Sequence, residues 1–384
     1  MVSFYNQINV KLPVRRFPVK RVRISDLRPG MKTGEDVFSY NNQMIVPKGS
    51  VLDDKMITRL EFYSVLAVRI MDEEDGAQSE DQNEPQAGEI APSSNYSQRV
   101  RSSKQFKKFE QSFLANTETF KEKLRDIAEG GKDIDSQAMI NSITGLIAED
   151  MTGVSVFDML HNMRQYDDFT YMHSMNVSLI CNVFGKWLGM SKADVDILTL
   201  GGLLHDIGKL KIPDNIIRKP DKLSPAEYNI IKTHSLQGYN ILKEKTIDDN
   251  VRQCALMHHE RCDGSGYPLG LTDDKINTYA KIVAIADVYD AMTAARVYRG
   301  PLCPFKVISI FESEGLQKYD GHYLLTFLEH VATTYMNNTV RLNNGMEGDV
   351  IFMNRNQYSR PMLQCGDKFI DLSREPELYI ETFV

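Results

Sequence analysis

Leu203-Leu204-His205-Asp206-Ile207-Gly208-Lys209 is the stretch on which the fold turns, because it sets a histidine and an aspartate side by side inside an apolar, helix-like segment. Neighbours on a helix lie about 100° apart, so an imidazole and a carboxylate at adjacent positions can lean toward one metal pair. The carboxylate has two oxygens and could bridge. Lys209 falls four residues after His205, on the same helical face, where its ammonium could meet a phosphate bound at that metal. The competing account is a plain amphipathic helix in which Leu203, Leu204 and Ile207 pack inward while His205, Asp206 and Lys209 face water.

The histidines favour the metal. Five of the eight (His173, His205, His234, His258 and His259) fall in a window of less than a quarter of the 384 residues. A shared metal site explains that clustering better than five separate structural roles do.

A chain of this length exceeds what one core usually organises, so two or three domains are expected, with 42% apolar residues to fill them. No run of about 18 apolar residues occurs, and Met1-Val2-Ser3-Phe4-Tyr5-Asn6-Gln7 lacks an apolar secretory core, so neither a membrane span nor an export signal is read and the expected location is the cytoplasm. Five cysteines without a Cys-x-x-Cys pair fit reduced thiols. A net charge of -7 argues against DNA as a partner. A small anionic ligand stays compatible, because one local cluster of metal, Arg and Lys can bind it.

Residues 1–71 carry short β-branched runs between turns such as Pro29-Gly30 and Lys48-Gly49, with a short helix near Asp53 to Tyr63, and read as a small α+β module. The basic run from Lys11 to Arg23 is either a partner-binding edge or a solvated strand face. Residues 72–101 open with eight acidic and no basic residues between Asp72 and Glu89, and read as an acidic, disordered linker. Residues 102–150 turn helical, with Phe106, Phe109, Phe113 and Phe120 in a charged background. That stripe suits a signalling or dimerisation helix, so a homodimer is one alternative; docking onto the next domain is the other. Residues 151–337 read as nearly all helix, including Asp194 to Leu210, Pro225 to Leu242 and Thr278 to Arg296, with polar chemistry facing a central cavity. Residues 338–384 alternate as about three strands, a small β appendage. The expected fold is therefore mainly α, with a small N-terminal α+β module and a short C-terminal β appendage.

Within the helical region His173 and His234, each alone, read better as core histidines hydrogen-bonded to a neighbour. His258-His259-Glu260, followed by Asp263, Gly264, Gly266, Tyr267 and Pro268, is stronger: two imidazoles end a helix beside a Gly-rich turn, and a plain helix stop explains the glycines but not the histidines. Asp287 and Asp290 lie one turn apart; Asp287 is the better ligand, while a solvated acid is an equal account of Asp290. Arg296 and Arg299 suit bidentate phosphate contacts, against ordinary surface arginines.

Together His205-Asp206-Ile207-Gly208-Lys209, His234, the string His258 to Pro268 (H-H-E-x-x-D-G-x-G-Y-P), Asp287 and the Arg296–Arg299 stretch resemble the HD-GYP family, cyclic di-GMP phosphodiesterases within the HD superfamily of metal phosphohydrolases. The resemblance spans about residues 150 to 340; that of the N-terminal module to the small domain often preceding HD-GYP domains is looser. It implies an all-helical HD-type phosphohydrolase domain with two divalent transition metals, iron or manganese. His173, His205, Asp206 and Asp287 would hold one metal, and Asp206 as bridge, with His234, His258 and His259, the second. Some members add a glutamate one turn before the first histidine and a third metal; here that position is Phe169. Asp206 and Lys209 would carry the catalysis. Lys209, Arg296, Arg299, Gly266, Tyr267 and Pro268 would contact the substrate, with Glu260 and Asp263 orienting loop and ligands. The GYP loop or the N-terminal module would meet protein partners. The implied activity is hydrolysis of cyclic di-GMP to linear pGpG and GMP. The alternatives are another cyclic dinucleotide such as 3'3'-cyclic GMP-AMP, or a non-catalytic signalling module that would have lost metal ligands.

Overall fold

The computed structural model describes residues 19–23, 27–38, 44–54, 56, 57, 60, 67–71, 100–131, 133–147, 153–163, 169–217, 219, 223–293 and 302–384. The chain divides into two compact units, Met1–Gln86 and Ala87–Val384.

In the first unit β1 (Val19–Arg23) pairs antiparallel with β4 (Ala67–Met71), and β2 (Val37–Phe38) with β3 (Met44–Val46). Period-two alternation on β4 buries Val68 and Ile70 and exposes Arg69 between them. These join Leu27, Val37, Val46, Leu52 and Leu60 in a small core. The expected helix is described only at 54, 56, 57 and 60, where the Asp53 carboxylate accepts from the Met56 N–H.

The second unit opens with α1 (Lys104–Ala128), started by Ser103, whose hydroxyl accepts from the Phe106 N–H. Phe106, Phe109, Phe113, Thr117, Phe120, Leu124 and Ile127 recur at three- and four-residue spacing, and all are buried within the chain. Of the two accounts of this stripe, docking is the one seen. After α2 (Ser136–Thr144) and α3 (Gly153–Asn162), α4 (Phe169–Trp187) packs along α5 (Lys192–Leu204). Then come α6 (Asp214–Ile217), α7 (Pro225–Lys232), α8 (His234–Lys243), α9 (Asp249–Met257) and α10 (Thr278–Thr293); α10 packs against α4, α5 and α9. Phe184, Leu198, Ile282 and Ile285 are buried on these helices.

Two helix boundaries differ from the sequence expectation, and both shape the site. The segment Asp194 to Leu210 is not one helix: α5 stops at Leu204, Asp206 leaves helical geometry at φ -101 and ψ 8, and a 3₁₀ turn follows over Ile207–Lys211. The cause is Gly208. A β-carbon there would lie 1.9 Å from the His234 carbonyl oxygen and 2.4 Å from the Gly238 nitrogen, so the turn rests backbone to backbone on α8. The segment Pro225 to Leu242 is likewise two helices, parted at Thr233, whose hydroxyl bonds back to the Ile230 carbonyl at 2.7 Å.

The chain ends in one antiparallel sheet of five strands, order β8-β7-β6-β5-β9: β5 (Thr339–Leu342), β6 (Glu347–Phe352), β7 (Met362–Cys365), β8 (Lys368–Asp371) and β9 (Ile380–Phe383). Three strands were expected. Gly345 and Gly366, at φ 84 and 61, each fold one expected strand into a hairpin. All five cysteines are free. Among the described residues no helix is long and apolar enough to cross a membrane.

Candidate metal centre

Five elements bring the histidine window together. His173 comes from α4, His205 and Asp206 from the end of α5, His234 from the first position of α8, His258 and His259 from the end of α9, and Asp287 from α10. His205, His234 and His258 are fully buried, and Asp206 is 3% exposed.

Backbone carbonyls set the tautomers of three rings. Each donates its Nδ1 proton: His205 to Gly202 O at 2.7 Å, His234 to Ile231 O at 2.7 Å, and His258 to Cys254 O at 2.9 Å. Their Nε2 lone pairs must then point inward, where they converge on Asp206. Its Oδ1 lies 3.3 Å from His234 Nε2 and 3.7 Å from His258 Nε2, and its Oδ2 lies 3.4 Å from His205 Nε2 and 3.8 Å from His173 Nε2. Among the described residues His205 Nε2 and Asp206 Oδ1 have no hydrogen-bond partner although both are buried. Buried polar atoms without partners are costly, and a divalent cation is the partner that lone pairs and a carboxylate share. The donors form two groups joined at Asp206: His173, His205 and Asp206, and Asp206, His234, His258 and His259. Asp287 adds a carboxylate 3.0 Å from His173 and 3.9 Å from both His205 and His259. The residues present therefore fit divalent metal ions.

Burial pushes His234 down to about 4 and His258 down to about 3, and holds His259 well below the usual imidazole range, so all three are neutral donors near pH 7. Burial would lower His173 too, but its hydrogen bonds to Asp287 and Asp290 raise it to about 9. For Asp206, burial alone would raise the carboxyl, yet Lys209 and the surrounding His205 and His234 hold it well below the carboxylate range. It stays an anion.

Lys209 reaches the site otherwise than by helical periodicity. The 3₁₀ turn brings its ammonium onto Asp206 Oδ2, three residues back, rather than alongside His205. The GYP loop is tied from below: the buried Glu260 carboxylate accepts from Leu269 N at 2.7 Å and Leu271 N at 2.9 Å, and Tyr267 N donates to His259 O at 3.1 Å. Gly266 is required because a β-carbon would fall 2.4 Å from the Glu260 Cα. The Tyr267 ring stacks on His259 at 4.6 Å between centroids. Asp263 accepts from Ser265 N at 2.9 Å and shapes the turn. Arg296 and Arg299 lie outside the described residues, as does the Phe169 side chain.

Asp290 is where the open alternatives of the sequence resolve. It is not a solvated acid but 1% exposed, accepting from His173 Nδ1 at 2.7 Å and Asn176 Nδ2 at 3.1 Å. Asn176 was missed altogether. The available signal was two pairs spaced by three residues, His173 with Asn176 and Asp287 with Asp290, on facing helices.

Residues 158–323 match the family model described as an HD domain. Among curated relatives, a 3'3'-cGAMP-specific phosphodiesterase of Vibrio cholerae is 42% identical over 146 residues, which is 38% of this chain and 34% of the relative. A cyclic di-GMP phosphodiesterase of Pseudomonas aeruginosa is 30% identical over 241 residues, 62% of this chain and 56% of the relative. One from Thermotoga maritima is 40% identical over 177 residues, 45% and 48% of the two chains. The chain thus spans about a third to just over half of these relatives' own length. With the HD pair, the later histidines and the GYP loop gathered around one centre, residues 158–323 match an HD domain and are similar to those of these phosphodiesterases.

Proposed function

We propose that the chain is a metal-dependent phosphodiesterase that hydrolyses cyclic di-GMP to linear pGpG and then GMP, using two iron or manganese ions. The observation that carries this is the division of Asp206, whose Oδ1 faces His234 and His258 while its Oδ2 faces His205 and His173. A carboxylate divided in that way would serve both ligand sets. His173, His205, Asp206 and Asp287 would hold one ion; Asp206, His234, His258 and His259 would hold the other. When bound, such a pair supplies Lewis acidity: it activates water at neutral pH and draws charge from phosphoryl oxygens.

The chain's own side chains supply the rest. Lys209, whose side chain is 28% exposed against 2% for that of Asp206, holds its ammonium on the buried carboxylate at the edge of the proposed metal pair, where a phosphate would arrive. Its charge there opposes the charge that grows on the phosphoryl oxygens. Tyr267, seated on His259, would form part of the substrate wall with the backbone of Gly266 and Pro268. Arg296 and Arg299 are proposed, on sequence alone, to meet the second phosphate. Relatives named for cyclic di-GMP and for 3'3'-cGAMP support the cyclic dinucleotide class.

The test is turnover of a panel of cyclic dinucleotides by purified protein loaded with iron or manganese under anaerobic conditions. Cyclic di-GMP should have the highest kcat/KM, and Asp206→Ala should be inactive. A higher value for 3'3'-cyclic GMP-AMP would reassign the substrate; no turnover of any member would leave the non-catalytic alternative.

A further inference from the structure

We infer that Asp290, held by Asn176, is a positioning residue that fixes and strengthens His173 as a metal ligand. The inference rests on the metal-pair assignment above and goes beyond it, because neither residue belongs to either ligand set.

His205, His234 and His258 each give their Nδ1 proton to a neutral backbone carbonyl. His173, the fifth residue of α4, turns instead to a carboxylate on α10. Asp290 Oδ2 takes the Nδ1 proton at 2.7 Å, which leaves His173 Nε2 to face Asp287 Oδ1 at 3.0 Å and Asp206 Oδ2 at 3.8 Å. An anionic acceptor makes an imidazole a better donor than a carbonyl does, and such outer partners affect metal affinity about 10- to 100-fold. Asp290 uses both oxygens: Oδ1 accepts from Asn176 Nδ2 at 3.1 Å, so the carboxylate cannot rotate away from the ring. At 1% exposure it is a charged group that nothing but these contacts compensates among the described residues, and burying it would otherwise be costly.

The two clusters make the inference testable, because His173 belongs to one and not to the other. Manganese(II) binding is titrated by electron paramagnetic resonance on wild type, Asp290→Ala, Asp290→Asn and Asn176→Ala, with circular dichroism on the same samples. Asp290→Ala should weaken one of the two sites by about 100-fold and leave the other unchanged. Asp290→Asn keeps the shape but has one acceptor oxygen for two donors, so the same site should weaken by about tenfold, with Asn176→Ala similar. Folded Asp290→Asn with two wild-type affinities would overturn the inference even if Asp290→Ala failed to fold. Equal weakening of both sites would also overturn it. Wild type binding no manganese would instead be the failure of the metal-pair assignment.

Discussion

The Nε2 atoms of His234 and His258 face each other at 3.2 Å, although each ring already gives its Nδ1 proton to a backbone carbonyl. Two lone pairs so placed repel, and a proton on either ring is disfavoured because burial holds both below the usual range. A cation held by these two rings and Asp206 would resolve the conflict. Anaerobically prepared protein should therefore contain close to two transition metals per chain by elemental analysis, and Asp206→Ala should lose most of both. Chelation of the wild type should lower Tm by about 5–10 °C, from roughly 2.7 kcal/mol of linkage at a hundredfold excess over Kd. Three ions bound stoichiometrically would contradict the two-ion assignment.

Lys209→Ala separates charge from ligation. Its ammonium contacts Asp206 but is not itself a donor to metal while protonated. The variant should keep its metals while kcat falls by about 100-fold, the scale of one lost oxyanion partner. Metal content and turnover are measured on one preparation. Unchanged turnover at full metal would make Lys209 a bystander, and lost metal would make it a structural support of Asp206.

Gly208→Ala tests whether the 3₁₀ turn depends on backbone contact with α8. The added methyl would sit 1.9 Å from the His234 carbonyl oxygen, which is backbone and cannot swing aside as a side chain could. Overpacking costs about 1–3 kcal/mol, so Tm should fall by roughly 2–12 °C and metal content should fall with it. The matched control is Gly321→Ala, where the β-carbon would meet nothing within 4 Å. Equal, small effects at both would refute the contact.

The centre was largely legible because metal ligands are chemically rare residues, and their clustering survives any error in helix boundaries. What the sequence concealed was backbone geometry. A continuous helical pattern through His205 and Lys209 hides the break at Asp206, since the break arises from α8 pressing on Gly208, a contact between segments about 30 residues apart. Asp290 was ambiguous for a related reason: an acid one turn from another acid reads as solvent-facing until the facing helix supplies His173 and Asn176. In the appendage the alternation marked strands correctly but not the hairpins at Gly345 and Gly366, which depend on positive φ.

Acid should unpick the cap at the start of α7. Ser224 and Glu227 form a capping box at the start of α7, and Lys219 Nζ lies 2.7 Å from both Glu227 oxygens. Lys219, with Ser224, lowers the Glu227 carboxyl from 4.5 to about 2. A depressed folded value means that its stabilisation is complete above about 4.5 and is lost as pH falls toward 2. The Tm gap between wild type and Glu227→Gln, expected at about 1–3 °C near neutrality, should narrow between about pH 5 and about pH 3. A gap independent of pH would mean that charge plays no part in the cap.

Glu260 tests whether the GYP loop shapes substrate binding or only adjoins it. The carboxylate is 2% exposed and accepts one backbone N–H on each oxygen, from Leu269 and Leu271. Glutamine offers one acceptor and forces an amide N–H against one of those donors, whereas a loop held by other contacts would not notice the change. His259 and Tyr267 are linked through the loop backbone, so loosening it should disturb the stacked ring more than the buried Nε2 donors. Glu260→Gln should therefore raise KM about three- to tenfold, as one impaired hydrogen bond of about 1 kcal/mol implies, with metal content unchanged. A fall in kcat alone, or a loss of metal, would move Glu260 from the substrate wall to the support of His259.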